Sequence, residues 1–246
     1  TLVFLDSDGT VARFGAEGTL LEEISAIGLR VRDEDAGGEW TEASLDGTLW
    51  GARYPRISEF PTGVVYRLPY LVVMADRGRS QVRVVGEYLN AAEYEERIGY
   101  YPALFTSVEP SRNPPGLLVG DNETFTIDLL DGTGRLVRRM RYPEGIRAAD
   151  PEVVEEERKA WIGQYEAAVE RGRSWDLPRY RRLIEARPYP EMWPGFRGFL
   201  GDSEGYVWTL EYGPLDMVPG AARDPTEAYE ALVFYPEGHL LGSVLF

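Results

Sequence analysis

Few residues of this chain have the type and spacing for bond-making chemistry. His239 is the single histidine and there is no cysteine. A Ser-His-Asp triad would therefore have to run through one hairpin residue after Glu237-Gly238, and thiolate catalysis, disulfides and cysteine-held zinc are excluded. Asp6-Ser7-Asp8-Gly9 has the opening of a calcium loop without its later acidic ligands, which makes it a strand-connecting turn. Asp33-Glu34-Asp35 with Glu39, and Glu155-Glu156-Glu157, offer oxygen ligands for a hard cation, yet runs of acid are more often solvated faces. No catalytic group, metal site or cofactor is expected.

Binding has better candidates. Trp40, Tyr101 and Trp193 each fall just before a segment expected to be the first, innermost strand of a repeated unit. With Arg53 at the end of one second strand and Glu211 near the end of another, they would make a pocket of aromatic walls and a few polar groups, the usual build of a ligand site. The same aromatics also suit packing between adjacent units, the more ordinary use of large side chains at such positions.

The elements that must position these residues come from an internal repeat. A hydrophobic pair, a tight turn closed by glycine and a hydrophobic strand occur in Arg13-Phe14-Gly15-Ala16-Glu17-Gly18-Thr19-Leu20-Leu21. The pattern returns in Leu129-Leu130-Asp131-Gly132-Thr133-Gly134-Arg135-Leu136-Val137 and in Val233-Phe234-Tyr235-Pro236-Glu237-Gly238-His239-Leu240-Leu241. Each is a hairpin whose glycine falls where a type I turn with a bulge needs positive φ. A weaker copy surrounds Gly78. Acidic-glycine turns before tryptophan strands, Leu45-Asp46-Gly47-Thr48-Leu49-Trp50 and Gly201-Asp202-Ser203-Glu204-Gly205-Tyr206-Val207-Trp208, add a second hairpin per unit. The unit is thus four antiparallel strands, and radial repetition of such units is a β-propeller. Expected blades are 1–24, 40–86, 101–142 and 196–246.

One stretch departs from the strand pattern. Asp150 and Pro151 form an N-cap followed by a first-turn proline, with acidic residues after them, so a helix starts there. Val154, Trp161, Tyr165 and Ala168 share its apolar face, and a second helix runs from Asp176 through Ile184. The helical insertion spans 150–187. In an up-and-down blade the two short hairpins share one end, and the links between second and third strands and between blades share the other. Every long connection, at Ser25 to Trp40, Gly51 to Gly63, Glu87 to Tyr101, Pro143 to Pro194 and Gly213 to Ala228, falls at that second end, where binding residues concentrate.

A net charge of -15, from 41 acidic and 26 basic residues, repels phosphate backbones and makes nucleic acid an unsuitable partner. No run approaches the roughly 18 apolar residues of a membrane span. The chain opens in Thr1-Leu2-Val3-Phe4-Leu5 and closes in Leu240-Leu241-Gly242-Ser243-Val244-Leu245-Phe246, both strand-like, as expected of a fragment of a larger ring.

The Asp/Gly turn before a Trp-bearing strand, Asp202 to Trp208, and the following Phe234-Tyr235-Pro236-Glu237-Gly238-His239-Leu240-Leu241 resemble NHL-type and related six-bladed β-propeller proteins of bacteria. That resemblance implies an incomplete ring and an extracellular or periplasmic setting, and it does not supply a reaction. Two functions remain open. One is a non-catalytic propeller that binds a small molecule or protein through its long-loop end. The other is a propeller hydrolase or lactonase whose metal or catalytic residues lie partly in missing blades.

Overall fold

The computed structural model describes residues 2–5, 10–14, 17, 19–25, 36–43, 49–55, 61–75, 82–94, 98–99, 106–213 and 230–245, with side chains over 50–51, 61–75, 82–94, 106–213 and 230–245. The fold is mostly β. Its first sheet holds β1 (Leu2–Leu5), β2 (Thr10–Phe14) and β3 (Leu20–Ser25). The second holds β4 (Ala36–Ala43), β5 (Leu49–Pro55), β6 (Val65–Ala75), β7 (Arg83–Tyr94) and β8 (Ile98–Gly99). The third is β9 (Thr106–Arg112), β10 (Pro115–Asp121), β11 (Thr126–Asp131) and β12 (Leu136–Arg141), and the fourth β13 (Gly198–Gly201), β14 (Val207–Leu210), β15 (Glu230–Phe234) and β16 (Leu240–Leu245). Among the described residues, strands pair with their chain neighbours, all antiparallel, and no sheet closes on itself.

The glycine hairpins fix the register. In the third sheet Leu129 pairs with Arg138 and Leu130 with Leu136, a one-residue bulge. The fourth repeats it, with Val233 opposite Gly242 and Phe234 opposite Leu240, and the first does so with Arg13 opposite Glu22 and Phe14 opposite Leu20. Gly134 and Gly238 stand at φ 75° and 91°, and their N–H groups donate to the carbonyls of Asp131 and Tyr235 at 2.7 and 2.8 Å. Positive φ is the conformation a side chain makes costly. The last three strands of the third and fourth sheets therefore correspond in register, Leu118 to Trp208, Val119 to Thr209, Asp121 to Glu211, Asp128 to Leu232 and Met140 to Val244, although the first hairpins differ in length.

The second, third and fourth sheets stack face on face. Trp50, Tyr70, Val72 and Met74 of the second pack on Leu117, Val119 and Leu130 of the third. The opposite face of the third sheet, with Leu118, Ile127, Leu129 and Met140, packs on Phe199, Val207 and Phe234 of the fourth. Burial on both faces explains why Gly116 to Gly120 is a continuous buried run rather than an alternating one. Like ends also meet. A side chain on Gly134 would run into Val85 and Met74 beside the hairpin end of the second sheet, and one on Gly238 would meet Arg138 and Met140 of the third. The first strands lie next to one another, β1 by β4, β4 by β9 and β9 by β13.

Two helices interrupt the third and fourth sheets, α1 (Pro151–Glu170) and α2 (Leu177–Ala186). Asp150 caps α1 by accepting the Glu152 N–H at 2.8 Å, and Asp176 caps α2 through the Arg179 N–H at 3.1 Å, satisfying donors the first turn leaves open. The chain enters and leaves this insertion through a short antiparallel neck. There Trp193 N–H donates to the Arg147 carbonyl at 2.7 Å and Ala149 N–H to Glu191 at 2.8 Å.

Several expectations are corrected. Four strands hold for the third and fourth sheets, whereas among the described residues the first has three and the second five. Glu87 to Tyr101 is not a long loop, because β7 runs to Tyr94 and β8 pairs with its end. Ala92 and Tyr94 are buried against Val65 there, and that pairing overrides the weak strand preference of Asn90-Ala91-Ala92. The copy around Gly78 is out of register. Gly78 lies outside the described residues, but Met74 pairs with Arg83 where the shared hairpin would pair it with Ser80. Gly18, Asp6 to Gly9 and Asp33 to Asp35 also lie outside the described residues.

Candidate functional site

Two clefts open at the end of the sheets that carries the longer connections. The first, about 440 Å³, is lined by Tyr88 of β7 and by Val119, Asp121, Thr126, Asp128, Arg139 and Arg141 of the third sheet. The second, about 170 Å³, has Thr209, Glu211, Glu230 and Leu232 of the fourth sheet beside Tyr142, Gly145 and Arg147 of the preceding link. By strand register Val119, Asp121, Thr126 and Asp128 correspond to Thr209, Glu211, Glu230 and Leu232. The clefts are the same place in successive repeats.

Each is braced by an arginine from the preceding unit. Arg67 at the start of β6 is buried and reaches Asp121 at 3.2 Å and Glu123 at 2.5 Å. Its remaining donors go to the carbonyls of Asn90 and Leu89 at 2.7 and 2.8 Å. In the second cleft Arg147 pairs with Glu211 at 2.6 Å. In the first, buried Asp128 accepts two parallel bonds from Arg139, both at 2.6 Å, and the Tyr88 hydroxyl at 3.2 Å. Burial, and then the Asp128 carboxylate, push the Tyr88 hydroxyl well above the usual phenol range.

Between the clefts, the turn joining β10 to β11 ties the third sheet to the fourth. The buried Asn122 amide donates to the Phe196 carbonyl at 3.1 Å, and Gly195 N–H donates to the Asn122 carbonyl at 2.8 Å. Phe125, at φ 44°, packs on Tyr142, Phe196 and Phe234 with ring centres 5.4, 5.2 and 6.1 Å away.

The sequence candidates divide. Trp193 is buried, stacked on Tyr212 at 5.9 Å, so its ring serves packing. Glu211 lines the second cleft, and Arg147 links the two residues, since its guanidinium pairs with Glu211 and its carbonyl takes the Trp193 N–H. Trp40 lies in β4 opposite Gly51 and Arg53 in β5 opposite Gly38, with side chains outside the described residues. Tyr101 is outside them altogether.

Sequence reasoning missed Tyr88, Asp128, Arg139 and Arg141. A usable signal existed in Asp128, a carboxylate inside the apolar strand Thr126-Ile127-Asp128-Leu129-Leu130. Glu157 is a correction: it is fully buried rather than on a solvated face. It fills the gap between Val154 and Trp161 on the inward stripe of α1. Burial pushes its carboxyl up to about 8, against the pull of the Arg187 guanidinium and the Tyr212 hydroxyl. Among the described residues neither oxygen has a partner in full hydrogen-bond geometry, so Arg187 acts through its charge and the Tyr212 hydroxyl through a loose hydrogen-bonding contact. Arg187 in turn donates to the Tyr189 hydroxyl at 2.8 Å, and Arg158 and Arg187 both lie over the Tyr189 ring.

No protein-family model matches the chain, and no curated protein matches it. Among solved structures it is similar to a crystal structure of a protein of unknown function from Bacteroides caccae. The two are 12% identical, with 99% of this chain and 77% of that chain covered and a TM-score of 0.24, too low to bear on the fold.

Proposed function

We propose that the chain is a non-catalytic binding domain of the β-propeller type, its sheets acting as blades, and that a small molecule or protein docks at the end bearing the longer connections. The observation that carries the reading is the recurrence of a polar-lined cleft at one repeat position in successive sheets, each braced by an arginine from the unit before. Support for blades comes from the adjacent first strands and from hairpins that rest on the preceding sheet in the same way twice. Six-bladed NHL-type proteins remain the family that the turn motifs resemble.

Hydrogen exchange tests the binding end. The chain is screened for thermal stabilisation by sugars, organic acids and short peptides, and each stabilising compound is mapped. Protection is expected at 65–67, 121–128, 139–147 and 209–212. Protection confined to the hairpins around Gly134, Gly205 and Gly238 overturns the reading.

A further inference from the structure

The two clefts share a scaffold and differ in charge, which gives an internal control. On the fourth strand the first cleft carries Arg139 and Arg141, and the corresponding positions of the fourth sheet are Ser243 and Leu245. The fold therefore requires no cation at either place. Arg139 commits Nε and Nη2 to Asp128, leaving Nη1. Arg141 is exposed and makes no hydrogen bond or ion pair among the described residues, although it lines the cleft. Two residues apart on one strand, the guanidiniums share a face, a spacing suited to holding one planar anion.

The rest of the lining is hydroxyls, apolar wall and the Asp121 carboxylate. Arg67 bridges Asp121 at 3.2 Å and Glu123 at 2.5 Å, and the Thr124 and Thr126 hydroxyls bond each other at 2.9 Å. These hydroxyls and the second Asp121 oxygen suit a ligand rich in hydroxyl groups, and the Tyr88 ring, Val119 and Pro143 add flat apolar wall. A volume of about 440 Å³ lies within the roughly 300–1,000 Å³ of small-molecule sites.

We infer that the cleft between the second and third sheets binds a small polyhydroxylated carboxylate, of the class of the hexuronic acids. Arg141 and the free edge of Arg139 hold the carboxylate, while Thr124, Thr126 and Asp121 take the hydroxyls. This rests on the reading of the long-connection end as the binding end.

Calorimetric titration of the 246-residue chain with glucuronate, glucose, acetate and inorganic phosphate tests it. Glucuronate is expected to bind at least about tenfold tighter than each of the other three. Arg141→Gln should cost about tenfold or more, the scale of a lost charge-assisted hydrogen bond. Arg141 is exposed on an edge strand, so its melting temperature should not move. Thr126→Val is a second variant, expected to weaken glucuronate while leaving acetate unchanged. Glucose, acetate or phosphate matching glucuronate overturns the inference, as does an unaltered affinity in Arg141→Gln. No binding of glucuronate, with another compound protecting the same end in hydrogen exchange, overturns the ligand class and leaves the binding end standing.

Discussion

Two buried residues bear costs that their neighbours offset. Phe125 holds φ 44°, a left-handed conformation that costs a non-glycine residue about 1–2 kcal/mol. Its ring is buried among three aromatics, worth roughly 1.5–3 kcal/mol, and Gly145 and Gly195 leave the space it fills. Gly195→Ala would drive a methyl into that ring and should lower the melting temperature, while Gly163→Ala, in open space on α1, should raise it slightly through helix propensity. Glu157 is the second case. Its carboxyl is raised from 4.5 to about 8, so the folded chain holds a proton that the unfolded chain releases. The stability this lends is complete below pH about 4.5 and is lost as pH rises through about 8. Glu157→Gln, which stays neutral, should therefore gain on the parent chain as pH climbs from 5 to 9, by at most a few kcal/mol. Urea melts at pH 5, 7 and 9 measure it, and a pH-independent difference would show that Arg187 keeps the carboxylate charged.

Among the hairpins, the turn glycines do two separable jobs. Gly172 (φ 88°), just past the end of α1 and not in a hairpin, is the reference, since a side chain there meets nothing and alanine reports the cost of positive φ alone. Gly238 adds the flexible Arg138 at 2.9 Å, and Gly134 adds Val85, a β-branched side chain locked by packing. Alanine should therefore destabilise in the order Gly134 over Gly238 over Gly172. Equal shifts in thermal melts would mean that the hairpins do not press on the preceding sheet. These hairpins and both helix starts were legible in sequence, because a glycine at positive φ or an aspartate cap before proline is a local requirement. What depends on how sheets stack was not legible. The two clefts, the burial of Glu157 and the extension of β7 through Asn90-Ala91-Ala92 arise from residues far apart in the chain. The Gly78 copy misled because its glycine matches and its pairing does not.

At the scale of the molecule, the face of the fourth sheet turned away from the third buries Ala231 and Val233 at its centre but leaves apolar side chains exposed around them. Leu200, Leu241 and Val244 are 46%, 48% and 39% exposed, with Trp208 and Leu210 partly exposed between them. Apolar patches of this kind on monomers commonly mark contact surfaces or promote self-association. Opposing it is the net charge of -15, whose mutual repulsion between molecules weakens as salt shortens the screening length to about 8 Å at 0.15 M. The chain should accordingly bind a dye for apolar surface and self-associate more as salt is added. The repeat supplies a matched pair of variants. Val244 and Met140 occupy the same position in the fourth and third sheets, but Met140 is 4% exposed beneath the next sheet. Val244→Lys should keep the melting temperature within a degree or two and lower both dye binding and salt-driven association. Met140→Lys buries an unpaired ammonium, which costs several kcal/mol, and should unfold much of the chain at 37 °C. If Val244→Lys proves as damaging as Met140→Lys, then Val244 is covered in solution as Ala231 and Val233 are, and the exposed apolar rim of that face is not a contact surface.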